Sequence, residues 1–243
     1  MNNFIIYPAI DLRNGKVVRL CQGKRDQQTI YDYSPEKVTE EWIEQGAEWL
    51  HVVNLNGAFG EDTEQNEGAI RKISMIGEGD VKIQLGGGIR TIDQISAALD
   101  IGVSRIVLGT AVIENPSFGK EVLDKFGGKK IAFGFDALGQ ELMSRGWQSP
   151  SGTTMKTLAC NLAKEGARFI IYTNIEKDGM QTGVDWESTK RLADETGLQV
   201  IASGGTATLE DVVRVRKVGL AGIIVGRALY EGNFTLKEAI DAC

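Results

Sequence analysis

Histidine, cysteine and long apolar runs are scarce in this 243-residue chain, and each scarcity narrows what it can be. There is one histidine, His51, within an apolar, strand-like run. It reads as a core residue, which argues against histidine-based acid–base or metal chemistry. The three cysteines, Cys21, Cys160 and Cys243, are odd in number and widely spaced. They suggest neither a disulfide framework nor a zinc site, so free reduced thiols are expected. No stretch of about 18 apolar residues is present, which excludes a transmembrane helix. The opening MNNFIIYPAIDLRNGK has no basic leader followed by a long apolar segment, so no signal peptide is expected. No Lys/Arg run is long enough for a nucleic-acid footprint, and net charge is -6. HExxH, Walker and Rossmann fingerprints are missing as well. The expectation is a soluble, cytoplasmic protein with no metal, cofactor, nucleic-acid or membrane partner. If such an acidic chain binds an anion, it must use backbone donors and a few placed cations.

What is present is ordered and periodic. The composition, 42% hydrophobic and 25% charged, is that of a globular protein rather than a disordered or fibrous one. Eight short, β-branched apolar runs stand at 4–10, 49–55, 81–85, 105–108, 130–135, 168–174, 198–203 and 221–225. Their nearly continuous hydrophobicity predicts parallel strands buried on both faces. Amphipathic segments lie between them. Ser34-Pro35-Glu36, Thr91-Ile92-Asp93, Asn115-Pro116 and Thr208-Leu209-Glu210 carry helix-start signals. Gly46, Gly102, Gly166, Gly197 and Gly219 stand where helices should end. Eight such units, in a length close to the roughly 250 residues typical of the fold, predict an α/β (β/α)8 barrel. It is expected to be one domain spanning residues 1–243.

The second half repeats the first. VKIQLGGGIRTIDQI (81–95) aligns with LQVIASGGTATLEDV (198–212), and RIVLGTAVIENPSF (105–118) with GIIVGRALYEGNFT (222–235). Gly87 and Gly204 lie 117 positions apart, as do Gly109 and Gly226. The first strand ends in Ala9-Ile10-Asp11 and the fifth in Gly134-Phe135-Asp136. The chain therefore reads as two half-barrels related by a pseudo-twofold axis. A feature found in both copies at the C-terminal end of its strand lies on the catalytic face.

Those features suit an anionic ligand. Gly87 and Gly88 follow the third strand and precede a helix, as Gly204 and Gly205 do after the seventh. Gly109-Thr110 and Gly226-Arg227 occupy the next unit of each half. Glycine lets backbone N–H groups approach an anion, and a following helix N-terminus adds donors. One such pair reads equally well as a tight turn. Two matched pairs on opposite sides of the mouth predict a ligand with a phosphate at each end. Asp11 and Asp136 then sit between the phosphate sites, where one carboxylate can act as general base and the other as general acid. Thr173 can orient a substrate hydroxyl, and Asp178 is a third carboxylate on a loop. Residues 138–152 are polar and glycine-bearing, with the length of a lid. Within them Arg145 can reach the substrate and Trp147 can stack on a flat heterocycle. Arg19, in the matching region after the first strand, can contact a phosphate.

PAIDLRNGKVVRL, HVVNLNGAFG, IQLGGGIRT, RGWQ, IYTNIEKDGMQTG, ASGGTATLEDV and IIVGRALYEGNFT together resemble the HisA family of ProFAR isomerases, over almost the whole chain. The resemblance implies a cofactor-free Amadori rearrangement of an aminoaldose, ProFAR, to an aminoketose, PRFAR, in histidine biosynthesis. It implies Asp11 as base and Asp136 as acid. Thr173 and Asp178 match the family's strand-six threonine and its loop aspartate, which serves as the acid in some members. The family usually has aspartate where this chain has Asn54 and Asn56, and often an acid where Asn174 stands. The missing charges are expected to lower the pKa of neighbouring carboxylates. Three other readings stay open: an isomerase also acting on phosphoribosylanthranilate, a HisF-like cyclase requiring a glutaminase partner, and a phosphate-binding barrel without catalysis. A monomer acting on a small bisphosphate is expected.

Overall fold

The computed structural model describes residues 4–21, 23–139, 141–144 and 149–243. In chain order the strands are β1 (Ile5–Arg13), β2 (Lys16–Cys21), β3 (Lys24–Ile30), β4 (Trp49–Asn54), β5 (Lys82–Gly86) and β6 (Arg105–Leu108), then β7 (Ile131–Leu138), β8 (Glu141–Ser144), β9 (Ser149–Thr154), β10 (Phe169–Asn174), β11 (Gln199–Ser203) and β12 (Gly222–Val225). Parallel pairing runs β1-β4-β5-β6-β7-β10-β11-β12, and β12 returns to β1 with Ile5 opposite Gly222 and Tyr7 opposite Ile224. The eight parallel strands thus close into the predicted (β/α)8 barrel.

Alternation along each strand makes two cores. Ile5, Tyr7, Ala9, Ile171, Ile201 and Ile224 fill the barrel interior, with Trp49, Val107 and Phe169 packed against them. Their neighbours, among them Ile10, Leu12, Leu50, Val52, Ile83, Leu85, Phe133 and Phe135, belong to a separate core shared with the helices. Both faces are buried, so these strands read as nearly continuous apolar runs.

The helices are α1 (Pro35–Glu44), α2 (Leu55–Phe59), α3 (Glu64–Ile76), α4 (Ile92–Asp100), α5 (Thr110–Glu114), α6 (Pro116–Phe126), α7 (Met155–Lys164), α8 (Trp186–Thr196), α9 (Leu209–Lys217), α10 (Arg227–Tyr230) and α11 (Leu236–Asp241). The duplication is visible in their caps. Thr91 opens α4 with a capping box to Gln94, and Thr208 opens α9 with one to Asp211. Such a cap is worth about 1 kcal/mol. Asn115 departs from the prediction: it precedes α6 without a side-chain cap, and its Oδ1 accepts instead from the Ser117 hydroxyl at 2.6 Å. The five glycines predicted to end helices all have positive φ, from 70° at Gly197 to 98° at Gly102.

Two hairpin arms were not read from the sequence. β1 and β7 run three residues past their predicted ends and fold back, β1 onto β2 and β3, and β7 onto β8 and β9. The first reversal is the two-residue turn Asn14-Gly15, with φ of 51° and 71°, between the paired Arg13 and Lys16. Positive φ at both positions matches the right-handed twist of the flanking strands, so Asn-Gly is its preferred sequence. The stretch predicted as a lid, 138–152, holds most of the second arm, whose last strand runs on to Thr154. Arms after strands one and five of the barrel are a further mark of the half-barrel repeat.

Candidate active site

A cavity of about 250 Å³ opens at the C-terminal ends of the barrel strands, far larger than the roughly 10–15 Å³ that holds one water. Asp11, Asp136, Asp178, Thr173 and Arg19 line it, together with Gly87, Gly88, Gly109, Thr110, Gly204, Gly205, Gly226 and Arg227. Every predicted site residue that the structure describes therefore meets in one place. Arg145 and Trp147 lie outside the described residues.

Asp11 ends the interior face of β1 and is buried. Its Oδ2 accepts from Arg19 Nη1 at 2.8 Å, across the first arm. The other terminal nitrogen of Arg19 donates to Asp178 Oδ1 at 2.5 Å. Asp178 sits on the loop after β10, where its backbone N–H donates to Asn174 O at 3.0 Å. One guanidinium therefore joins a carboxylate of each half-barrel. Burial pushes the Asp11 carboxyl above its ordinary pKa. Arg19 opposes that shift and the Asp178 charge adds to it. Burial also acts against the Arg19 charge, but Asp178 and Asp11 outweigh it and hold the guanidinium protonated. The sequence reading had Arg19 free to take a phosphate; here it is engaged by two carboxylates. A Cβ built on Gly226 would nonetheless lie 3.3 Å from Arg19 Nη1, so the bridge borders the Gly226 loop.

The 175–183 loop is tied down at further points. Arg227 Nη1 donates to Gly179 O at 2.7 Å, and Gln181 Nε2 to Glu231 at 2.9 Å. The Gly183 N–H donates to Gly205 O at 2.9 Å. These bonds carry Asp178 into the cavity. Thr173 stands opposite Asp136 in the β7–β10 register, so both occupy the same layer of the mouth.

The paired glycines are demanded by the fold itself. Gly87 and Gly88 have φ of 98° and 78°, and a Cβ would fall 2.2 Å from Asn54 O or from Gly57 C. Gly205, at φ 88°, would bring a Cβ to 2.5 Å from Gly183 O. Close backbone packing thus accounts for glycine at these positions with or without a ligand. Gly109 and Gly226 make the stronger pair. Their dihedrals agree to 1°, at φ -111°, ψ -98° and φ -110°, ψ -99°, and each precedes a short helix.

The three asparagines that depart from the family pattern do not line this cavity. Asn54 caps α2, accepting from the Gly57 N–H at 3.0 Å and from Asn66 Nδ2 at 2.8 Å. Asn56 donates to Asn14 Oδ1 at 2.8 Å and Asp62 O at 2.7 Å, while accepting from the Asn14 N–H at 2.9 Å. Asn174 donates to Asp185 at 2.8 Å. Burial works against the Asp185 carboxylate, but Asn174 and the Ser188 N–H hold its pKa below the ordinary value. The Asp11 pKa is raised, chiefly by burial, and none of the three asparagines is among its causes.

His51, predicted as a core residue, is buried but lines the cavity two residues before Val53, the register partner of Asp11. Its interior position follows from strand parity, which was the available signal. Tyr230 was also missed. Its hydroxyl donates to Ala9 O at 3.0 Å, and its ring stacks on Tyr31 at 4.4 Å.

The family model described as histidine biosynthesis protein matches residues 5–235. A protein of Bacillus pumilus is 43% identical over 99% of this chain and 98% of its own length. One of Chelativorans is 44% identical over 97% of this chain and 96% of its own length. One of Methanococcus voltae is 38% identical, also over 97% and 96%. Each is named 1-(5-phosphoribosyl)-5-((5-phosphoribosylamino)methylideneamino) imidazole-4-carboxamide isomerase. On its residues, its barrel and these matches, the chain belongs to the histidine biosynthesis protein family.

Proposed function

We propose that this chain catalyses the Amadori rearrangement of ProFAR to PRFAR, with Asp11 as the general base. The observation that carries the reading is a buried Asp11 with a raised pKa, in a cavity that also holds two further carboxylates and the matched Gly109 and Gly226 loops. A raised pKa makes Asp11 a stronger base, which suits removal of a carbon-bound proton. The glycine loops of the two halves hold the two phosphates and set the sugar between the carboxylates. An acid protonates the ribose ring oxygen, and the ring opens to a Schiff base. Asp11 then removes the proton from the sugar's second carbon, and the resulting enol tautomerises to the ketone. Asp136 and Asp178 are the two candidates for the acid. Asp178 is engaged by Arg19, so it is free to meet the substrate only when Arg19 turns away. Thr173 orients a sugar hydroxyl. The substrate is a small bisphosphate, no cofactor takes part, and the working unit is a monomer in the cytoplasm. Among the described residues no helix is long and apolar enough to cross a membrane.

Turnover of ProFAR by the purified protein, beside Asp136→Asn and Asp178→Asn, tests this reading. The variant lacking the acid should lose about 10²–10⁴ in kcat. No turnover by the wild type rejects the proposed reaction. Assaying phosphoribosylanthranilate in parallel decides whether the site is dual.

A further inference from the structure

The two half-barrels differ inside the barrel in a way their duplication does not require. Along the first half, the interior carries His51 on β4, Gln84 on β5 and Arg105 on β6, all buried. The equivalent interior positions of the second half are Ile171, Ile201 and Gly222. The second set is apolar or absent. Tyr7 takes the space at Gly222, where an added Cβ would lie 2.8 Å from the Tyr7 ring. An interior that is dry in one half is therefore a connected polar chain in the other.

The chain has one possible direction. Arg105 Nη1 donates to Gln84 Oε1 at 3.1 Å, and a guanidinium has no acceptor. Gln84 must therefore turn its carbonyl oxygen to Arg105 and its NH2 to His51. Gln84 Nε2 lies 3.0 Å from His51 Nδ1. An NH2 group only donates, so Nδ1 must be the lone-pair nitrogen. Arg105 is itself fixed between two aromatic faces, 4.2 Å from the Trp49 ring centre and 3.8 Å from that of Phe169, and it reaches the Tyr7 hydroxyl at 3.4 Å. Burial and the nearby Arg19 keep His51 neutral, with a pKa lowered to about 3. His51 Nε2 is not among the buried side-chain atoms left unpaired, and the residue lines the cavity. Its second nitrogen is therefore open to a ligand.

We infer that Arg105 and Gln84 are positioning residues that lock His51 as its Nε2–H tautomer, giving the cavity a neutral hydrogen-bond donor on the Asp11 side for an oxygen of the sugar. The assignment of that oxygen to the substrate rests on the proposed isomerase reaction; the tautomer does not. A neutral donor strengthens a developing enol oxygen without attracting a second anion or neutralising Asp11, which a histidinium would do. It also separates the roles of the halves, since Ile171 offers nothing equivalent opposite.

His51 is the sole histidine, so nitrogen NMR of tag-free protein labelled at histidine reads this one ring. The expected result is a protonated Nε2 and an unprotonated Nδ1, unchanged across neutral pH. A protonated Nδ1 overturns the proposal. Gln84→Glu presents only acceptors to both neighbours, so Nδ1 should become protonated and kcat should fall at least about tenfold with little change in KM. Wild-type kcat with a reversed tautomer overturns the positioning role. His51→Leu should lower kcat by about 10², as removal of one preorganised donor does, and His51→Gln, which keeps an N–H near the Nε2 position, should restore most of it. Equal activity of the Leu and Gln variants overturns the donor role. If Gln84→Glu does not fold, the His51 pair and the wild-type spectrum still decide. If the wild type does not turn over ProFAR, the reaction fails, and the tautomer stands or falls on the spectrum.

Discussion

Replacing Arg19 by Met is the most searching perturbation of the charge network. Methionine keeps the aliphatic stem and deletes the guanidinium that holds Asp11 at 2.8 Å and Asp178 at 2.5 Å. All three side chains are at most 16% exposed, so solvent screens the loss weakly. Removing one partner of a buried ion pair costs about 3–5 kcal/mol. At about 2–4 °C per kcal/mol for a chain of this size, Tm should fall by roughly 6–20 °C near neutral pH. The sign of the pH dependence follows from Asp11. Its folded pKa already lies above the ordinary value because burial outweighs Arg19, and loss of Arg19 raises it further. A carboxyl with a raised folded pKa binds more protons folded than unfolded, so the fold loses stability as pH rises from the unfolded pKa through the folded one. Calorimetry should therefore show a smaller penalty at about pH 5 than at about pH 8. A base must be ionised to act, so the acidic limb of kcat/KM should move to higher pH. An equal Tm loss at both pH values, with an unmoved acidic limb, would falsify the reasoning. Using the position of the limb rather than its height separates this effect from any loss of phosphate binding.

Gly87→Ala should destabilise by more than about 3 kcal/mol, since it combines a left-handed residue with a Cβ 2.2 Å from Asn54 O; denaturant melting that shows less than about 1 kcal/mol would remove the packing argument. Asn56→Asp tests the amide network. It deletes the donors to Asn14 Oδ1 and Asp62 O, so about 1–3 kcal/mol should be lost while kcat stays near wild type, because the side chain does not line the cavity.

What could be read in advance follows from where information is local. The barrel strands were legible because both faces are buried and mostly apolar, so 49–55 and 198–203 needed no partner to be recognised. The duplication of Thr91 and Thr208, or Gly109 and Gly226, was legible because a repeat compares the chain with itself. The first arm carried its own signal in Asn14-Gly15, which passed unread beside the charged and polar run that follows. The Arg19 bridge was not legible, because it links residues 159 positions apart and depends on how the 175–183 loop is tied down. His51 looked like core because its neighbours on β4 are hydrophobic; strand parity carried the signal, and the register against Ala9 shows that it faces the axis. The asparagines at 54, 56 and 174 looked like lost active-site charge, and their caps and amide contacts place them outside the cavity.

The central claim is that Asp11 takes the proton in an isomerase reaction, and turnover of ProFAR by Asp11→Asn beside the wild type tests it most directly. Asparagine keeps the shape and removes the base. The expected result is a loss of about 10²–10⁴ in kcat with binding of a bisphosphate ligand retained. Turnover near the wild-type rate, or no reaction by the wild type itself, contradicts the account.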